Sequence, residues 1–423
     1  MPIKHVWMLN HYAQTPNTGS STRHFNLARG LPSFGWGASV IASGTLHNSD
    51  RRVVDGNANH VLSRHDGVPF LWLRTSSYRG NGADRMKNMI DFTRRALDRS
   101  TTAQLAKPDA IIGSSVHPFA AWAGLRLARR HGVPFLFEVR DLWPQSLIDL
   151  GRISESDPRT FLLRRLERHL YRNAARTIVL LPQAHEYIVP LGIPRERIVW
   201  IPNGVDLELF KAHPYPKDRV NAPFTFVYMG AHGTANGLDN ILEAMALVRE
   251  RSAPSQPSLR LRLIGDGPLK ASLIKMSDDL GLASLVSFEA AVPKAEIVER
   301  AAEADAFVFN LVDIPIYRYG ISLNKIFDYL AAARPIVFGG NASNNPVAEA
   351  GAGITVPPGR PDLLADAMLE LARTPRAQLA AMGAAGRAYV AATHDYSVLA
   401  HRLASTLDEV VTQSAGLRRG ATE

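Results

Sequence analysis

The chain has 423 residues, no cysteine and a formal charge of +9 from 48 basic and 39 acidic residues. At about 100–200 residues per domain this length implies two or three domains, and a hydrophobic content of 46% excludes a disordered chain. Without cysteine, disulfide frameworks, thiolate metal sites and cysteine nucleophiles are excluded.

In chain order, short β-rich runs alternate with longer helical patterns. Residues 3–9, 38–42, 69–73, 110–113, 134–139, 177–181 and 198–201 read as strands, with helix-length segments at 21–34, 85–99, 118–131 and 159–172. The second half repeats the pattern, with strands at 224–229, 259–264, 286–288, 306–310, 336–338 and 354–356 and helices at 238–251, 269–280, 294–304, 324–333 and 361–372. Alternating strands and helices imply α/β architecture: parallel sheets covered on both faces by helices, here as two doubly wound domains. Pro202 followed by Asn203-Gly204 is a strong stop-and-turn signal and sets the expected boundary, giving domains at 1–203 and 204–394. The proline-containing stretch 211–223 reads as a linker. Residues 1–205 hold 27 basic and 15 acidic residues, a balance of +12, against −3 for the remainder, so the attraction for anions is concentrated in the first half. No apolar run approaches the roughly 20 residues of a membrane span. Lys4, His5, Asn10 and His11 break any secretory core, so a cytoplasmic location is expected.

Chemistry-bearing residues fall after the strands, where parallel sheets place ligands. Gly19-Ser20-Ser21-Thr22 leads into a helix. It suits an anion at free backbone N–H groups, or a plain Ser/Thr cap. His117 follows the strand at 110–113 and is either structural or functional. Glu138, Arg140 and Asp141 place three charges within four residues of a strand end, which calls either for an internal Arg140 ion pair or for substrate contact. Gly230 to Gly237 is glycine-rich and free of bulky residues, a loop able to nest a phosphate, though without the Gly-Lys-Ser/Thr of a P-loop. Gly265-Asp266-Gly267-Pro268 reads first as a tight turn. In Tyr317-Arg318-Tyr319-Gly320-Ile321-Ser322-Leu323-Asn324-Lys325, a polar loop enters a helix on which Asn324, Lys325 and Asp328 share a face. Lys325 is placed to meet phosphate and Asp328 ribose hydroxyls; the alternative is a Lys325–Asp328 surface pair.

Gly-Ser-Ser-Thr-Arg-His-Phe at 19–25, Glu-Val-Arg-Asp-Leu-Trp-Pro at 138–144, Ile-Pro-Asn-Gly-Val-Asp at 201–206 and Asn-Lys-Ile-Phe-Asp-Tyr-Leu at 324–330 resemble glycosyltransferase family 4 of the GT-B class. The likeness is greatest to the O-antigen, capsule and exopolysaccharide branch with N-acetyl-L-fucosamine-type transferases. The resemblance implies two Rossmann-like domains with an interdomain cleft, an acceptor-binding N-terminal domain, a nucleotide-sugar-binding C-terminal domain, and a final helix near 395–412 crossing back to the first. It implies a retaining hexosyltransferase that uses no metal or other cofactor. Its partners are then a nucleotide-sugar donor, UDP-linked with an N-acetylated or 6-deoxy sugar, and a lipid-linked saccharide acceptor; no nucleic acid is expected. It gives His117 the contact with the donor sugar. Gly19 and Ser20 would face the diphosphate or acceptor, Val292 and Pro293 the base, and Gly230, Gly265, Arg318, Ser322, Asn324 and Asp328 the rest of the donor, with Glu138, Arg140 and Asp141 on the acceptor side. Two departures stand out. Gly320 takes the place of the first Glu of the family's Glu-x7-Glu motif, and Ala231 and Asn236 take the places of its phosphate-binding Arg and Lys. Lys325, with Arg318, is the expected substitute. The basic segments 85–99 and 159–172 suit an anionic bilayer surface, or equally a packed helix with a solvated basic face. Two rival readings are a nucleotide-sugar 2-epimerase on the same scaffold and a non-catalytic partner subunit.

Overall fold

In the computed structural model the described residues are 3–19, 21–46, 51–80, 82–115, 117–210, 215, 222–252 and 258–420. The chain divides into two compact units, Met1–Asn203 with Tyr396–Glu423, and Gly204–Asp395.

The first unit carries eight strands: β1 Lys4–Leu9, β2 Trp36–Ser43, β3 His60–His65, β4 Val68–Leu73, β5 Ala110–Ser114, β6 Phe135–Val139, β7 Arg176–Val179 and β8 Ile198–Trp200. Their order is β3-β4-β2-β1-β5-β6-β7-β8. All pairings are parallel except β3 with β4. Central strands are buried on both faces, as helix-covered parallel sheets require. Val6 and Met8 of β1 point to the face that also receives Leu399, Leu403 and Leu407 of the helix Tyr396–Gly420. That helix lies against the helix Arg23–Gly30. On the other face the helix Pro118–His131 approaches β5 so closely that a Cβ at Gly113 would stand 2.8 Å from Ala121 Cα. Edge strand β3 had no counterpart in the sequence reading, because its residues are mostly half-exposed and show no buried alternation. The expected helix 21–34 is an α-helix only through Gly30. Pro32 then opens a 3₁₀ turn, Leu31–Phe34.

The second unit carries β9 Phe224–Met229, β10 Leu259–Ile264, β11 Val286–Glu289, β12 Ala306–Asn310, β13 Ile336–Gly339 and β14 Gly353–Val356. They form one wholly parallel sheet in the order β11-β10-β9-β12-β13-β14. Its core is aromatic and aliphatic: Phe226, Leu261, Phe307, Phe309 and Val337 are fully buried. Each such side chain contributes about 1.5–3 kcal/mol of transfer free energy. The chain runs outward from β9 through β10 to β11 and then crosses back to β12 on the other side of β9, so the loops after β9 and β12 diverge and leave a crevice at the carboxyl edge. The stretch expected as a linker, 211–223, falls almost entirely outside the described residues.

Candidate functional site

Parallel strands deliver all their following loops to one edge. In the second unit, β9 runs into Gly230, β10 into Gly265, β11 into Val292 and Pro293, and β12 into Arg318, Ser322, Asn324, Lys325 and Asp328. The sheet thus brings these donor candidates to a single edge. Gly230 and Gly265 are needed for packing before any ligand is considered. A Cβ on Gly265 would stand 1.9 Å from the Gly230 carbonyl oxygen, and its φ of +154° lies where side chains are strained. Val292 is half-buried against the core, while Pro293 opens the helix Lys294–Ala302.

Lys325 is oriented by the helix Asn324–Ala331. Tyr329, one turn on and on the same face, stacks on Phe307 at 4.2 Å and 8°. Its hydroxyl accepts from Met229 N (2.7 Å) and donates to Met229 O (2.8 Å). This double bond to β9 turns the Lys325 side chain toward the end of the same strand. There Nζ donates to the Tyr228 hydroxyl at 3.0 Å and to Asn236 Oδ1, and lies over the rings of Tyr228 (4.9 Å) and Phe309 (4.7 Å). Asn236 Nδ2 and the Tyr228 hydroxyl both donate to Ala231 O at 2.8 Å, which ties the glycine-rich loop around the amine. Lys325 therefore makes no surface pair with Asp328, the alternative left open by the sequence; Asp328 is itself buried. Burial without a carboxylate partner pushes the Lys325 amine down to about 7.

Around this amine, Asn324 Oδ1 is buried without a hydrogen-bond partner. The helix Asn324–Ala331 has no side-chain cap on its first N–H groups. Ser322 is buried at the helix entrance. Arg318 is exposed, and its guanidinium stacks over Tyr319 at 4.7 Å.

Sequence reasoning passed over His232, in the same glycine-rich loop. It is fully buried, and neither ring nitrogen meets a hydrogen-bond partner. Burial holds the imidazole below its ordinary pKa, assisted by the Lys270 charge. Two unpaired ring nitrogens cost about 1–3 kcal/mol each. A histidine flanked by glycines in a strand-to-helix loop was the available signal.

In the first unit, Glu138 closes β6 and is buried. Arg23 Nε (2.9 Å) and His24 Nε2 (2.7 Å) hold its carboxylate, and the Ser114 hydroxyl donates to it at 2.6 Å. The anticipated internal ion pair with Arg140 is replaced by this pairing with the helix Arg23–Gly30. Arg140 instead reaches Ser115 Oγ through its backbone N (3.2 Å), and Asp141 is exposed. Burial raises the Glu138 pKa, but the His24 and Arg23 partners outweigh it and hold the carboxyl well below the usual range. Asn10 Oδ1 accepts from Tyr12 N, so Asn10 Nδ2 donates to His24 Nδ1 (3.0 Å) and leaves the imidazole proton on Nε2, facing Glu138. Arg23 also donates to Ile201 O (2.8 Å) and Pro202 O. Neither Arg23 nor His24 was singled out from the sequence.

His117, which the resemblance assigns to the donor sugar, follows β5. It is the N-cap of the helix Pro118–His131 and is fully buried. Nδ1 accepts from Ala120 N at 3.3 Å, so the proton sits on Nε2 and is donated to His11 Nδ1 at 2.8 Å. Burial, with His11 and Arg85 nearby, keeps the ring well below the usual imidazole pKa and neutral. Gly19 packs on the Gln14 side chain, where a Cβ would stand 2.2 Å from Oε1. Thr22, at the cap position of the next helix, makes no side-chain cap bond. Ser20 lies outside the described residues. Among the described residues no cluster of three His, Asp or Glu side chains forms a metal site, and no helix is long and apolar enough to cross a membrane.

Two α/β units, each with its polar loops gathered at the carboxyl edge of a parallel sheet, define a protein of the GT-B class. Residues 18–204 match the glycosyl transferase 4-like domain, and residues 223–374 match glycosyl transferases group 1. A GDP-mannose-dependent alpha-(1-6)-phosphatidylinositol monomannoside mannosyltransferase of Mycobacterium tuberculosis is 28% identical over 51% of this chain; the match spans 56% of that protein's length. Sucrose-phosphate synthase from Thermosynechococcus elongatus superposes with a TM-score of 0.72 at 16% identity, over 97% of this chain and 100% of that one. Anabaena HepE in complex with UDP-glucose gives 0.64 at 15% identity, over 96% and 99%. The chain belongs to the glycosyltransferase family 4/group 1 superfamily.

Proposed function

We propose that this protein is a retaining hexosyltransferase of the O-antigen, capsule or exopolysaccharide type, moving a sugar from a UDP-linked donor to a lipid-linked saccharide. The observation that carries the reading is the Lys325 amine inside the glycine-rich loop, bonded to Asn236. Asn236 stands where the resembling family has a phosphate-binding Lys, and here the cation enters from another element. That placement favours an active enzyme over a non-catalytic subunit. The donor diphosphate would meet Lys325, the free N–H groups of the helix Asn324–Ala331 and the backbone at Gly230. In the reaction the bond from the anomeric carbon to the diphosphate oxygen breaks, and the acceptor oxygen bonds that carbon from the same face. The departing diphosphate takes the acceptor hydroxyl's proton. Lys325 and the N–H groups stabilise the charge that develops on the leaving group.

Support for a UDP donor comes from HepE, which is solved with UDP-glucose. Support for a lipid-borne acceptor comes from the mannosyltransferase that acts on a phosphatidylinositol monomannoside. That relative depends on GDP-mannose, which makes a GDP-sugar the second reading. A thermal-shift screen of UDP-, GDP- and dTDP-sugars separates them, since a selective ligand raises the melting temperature. Transfer is then followed by NMR of the anomeric configuration. A shift with GDP-sugars alone removes the UDP assignment, an inverted product removes retention, and no shift with any donor removes the transferase reading.

A further inference from the structure

The helices Ala83–Leu97 and Pro158–Asn173 both pack against the helix Pro118–His131 in the first unit. Each links parallel strands, so each runs back along the sheet and starts at its carboxyl edge. Thr160, Glu167, Leu170 and Tyr171 bury the inner face of the second helix. Its outer face is not the uniformly charged one a solvated helix presents. Phe161 and Leu162 are 68% and 64% exposed in the first turns. On the first helix, Met86 and Ile90 are 47% and 46% exposed, also in the first two turns. Four large apolar side chains left in water at the same end of one helical layer are costly and mark an interaction surface.

The neighbouring cations say what covers it. Arg159 and Arg164 are spent on Asp157 and Glu155. Arg165, Arg168 and Arg172, exposed one, two and three turns behind Phe161, make no ion pair among the described residues. Lys87 and Arg94 flank Met86 and Ile90 in the same way. Along Pro158–Asn173 this face also bounds an open depression of about 880 Å³, lined by Phe161, Leu162, Arg165 and Arg168. Apolar wedges beside unpaired cations, with no exposed acidic residue on the outer face of Pro158–Asn173 between Arg159 and Arg172, complement an anionic headgroup layer over an acyl interior.

We propose that this outer face docks on an anionic lipid bilayer, with Phe161, Leu162, Met86 and Ile90 entering the interface while Arg165, Arg168, Lys87 and Arg94 meet the headgroups. The proposal rests on the reading of a lipid-linked acceptor and adds the surface that brings the enzyme to it. Such docking presents the carboxyl edge of the first sheet, with Glu138 and Arg140, toward the membrane.

The test is co-sedimentation of the full chain with vesicles of phosphatidylcholine alone, or of phosphatidylcholine with about 30% phosphatidylglycerol, at low and at physiological salt. The chain is expected to bind the anionic vesicles, more weakly as salt rises. The pairs Phe161→Ser with Leu162→Ser, and Arg165→Glu with Arg168→Glu, are each expected to weaken binding at least roughly tenfold. Their melting temperatures should stay unchanged, because all four side chains are exposed. Failure of the unaltered chain to bind, or equal binding by the altered pairs, overturns the proposal. So does a dimer in light scattering that Phe161→Ser with Leu162→Ser converts to monomer without any vesicle binding. Nucleotide-sugar binding measured on the same preparations keeps the two readings apart. Donor binding without vesicle binding removes the docking face alone, and vesicle binding without donor binding removes the transferase reading alone.

Discussion

Raising the pH from about 6 to about 9 is expected to weaken binding of an intact nucleotide-sugar roughly 10–50-fold, through Lys325. Burial brings this amine to about 7 in the free protein. Only the ammonium form attracts a diphosphate strongly. It makes up about nine-tenths of the population one unit below the pKa and about a hundredth two units above it. Affinity should therefore be flat below neutrality and fall above it by up to about tenfold per pH unit, until the residual affinity of the neutral amine sets a floor. The ligand contributes no slope of its own, because a nucleotide-sugar lacks the terminal phosphate ionisation near pH 6. Isothermal titration calorimetry at fixed ionic strength reads the affinity. Lys325→Met should bind about 10–100-fold more weakly at low pH, the worth of a charged hydrogen bond, and show no slope. The stability sign is opposite to that of a gained partner. The unfolded lysine, with its pKa near 10.4, binds more protons than the folded one between about pH 7 and pH 10, so native stability rises across that window. Lys325→Met should melt above the unaltered chain at pH 7, with the gap closing toward pH 10. A pH-independent affinity in the unaltered chain, or the same slope in Lys325→Met, would refute the assignment of the diphosphate to this amine.

Three further outcomes are expected. Glu138→Gln leaves the Arg23 guanidinium buried without its anion and should cost about 3–5 kcal/mol in urea unfolding; a loss below about 1 kcal/mol contradicts the buried pair. His117→Ala should lose the cap of the helix Pro118–His131, on the order of 1 kcal/mol, and His117→Asn should restore most of it. Transfer activity that returns with Asn assigns His117 to capping, whereas activity that stays lost while stability returns assigns it to the donor sugar. Gly265→Ala forces a Cβ against the Gly230 carbonyl and should destabilise the second unit by about 2–4 kcal/mol with loss of donor binding; a normal melting curve would show that the two loops do not meet.

Strand and helix periods carry the class of fold, because a parallel sheet demands long apolar runs separated by amphipathic crossovers. They were enough to read β1, β5, β9 and β12 directly. They failed at β3, an edge strand held by its antiparallel neighbour and without a buried face of its own. Candidate residues were legible wherever a strand ended in glycines or charges, since the chain direction already fixes which edge those loops reach.

What no local pattern contained was which of those charges would be spent on one another. Glu138 lies 115 residues from Arg23 and 114 from His24, so its ion pairs become visible only when β6 is laid beside the first helix. Lys325 and Asn236 lie 89 residues apart, and the helical spacing of Lys325 and Asp328 pointed to the nearer partner. Tertiary packing chose otherwise, because Tyr329 docks on Phe307 and turns the lysine toward the sheet. The sequence by itself determined two doubly wound units and the chemistry at their loop edges. The tertiary structure alone decided which side chains are consumed in holding those edges and which are left to meet a ligand, because pairing and burial depend on distances that spacing along the chain does not set.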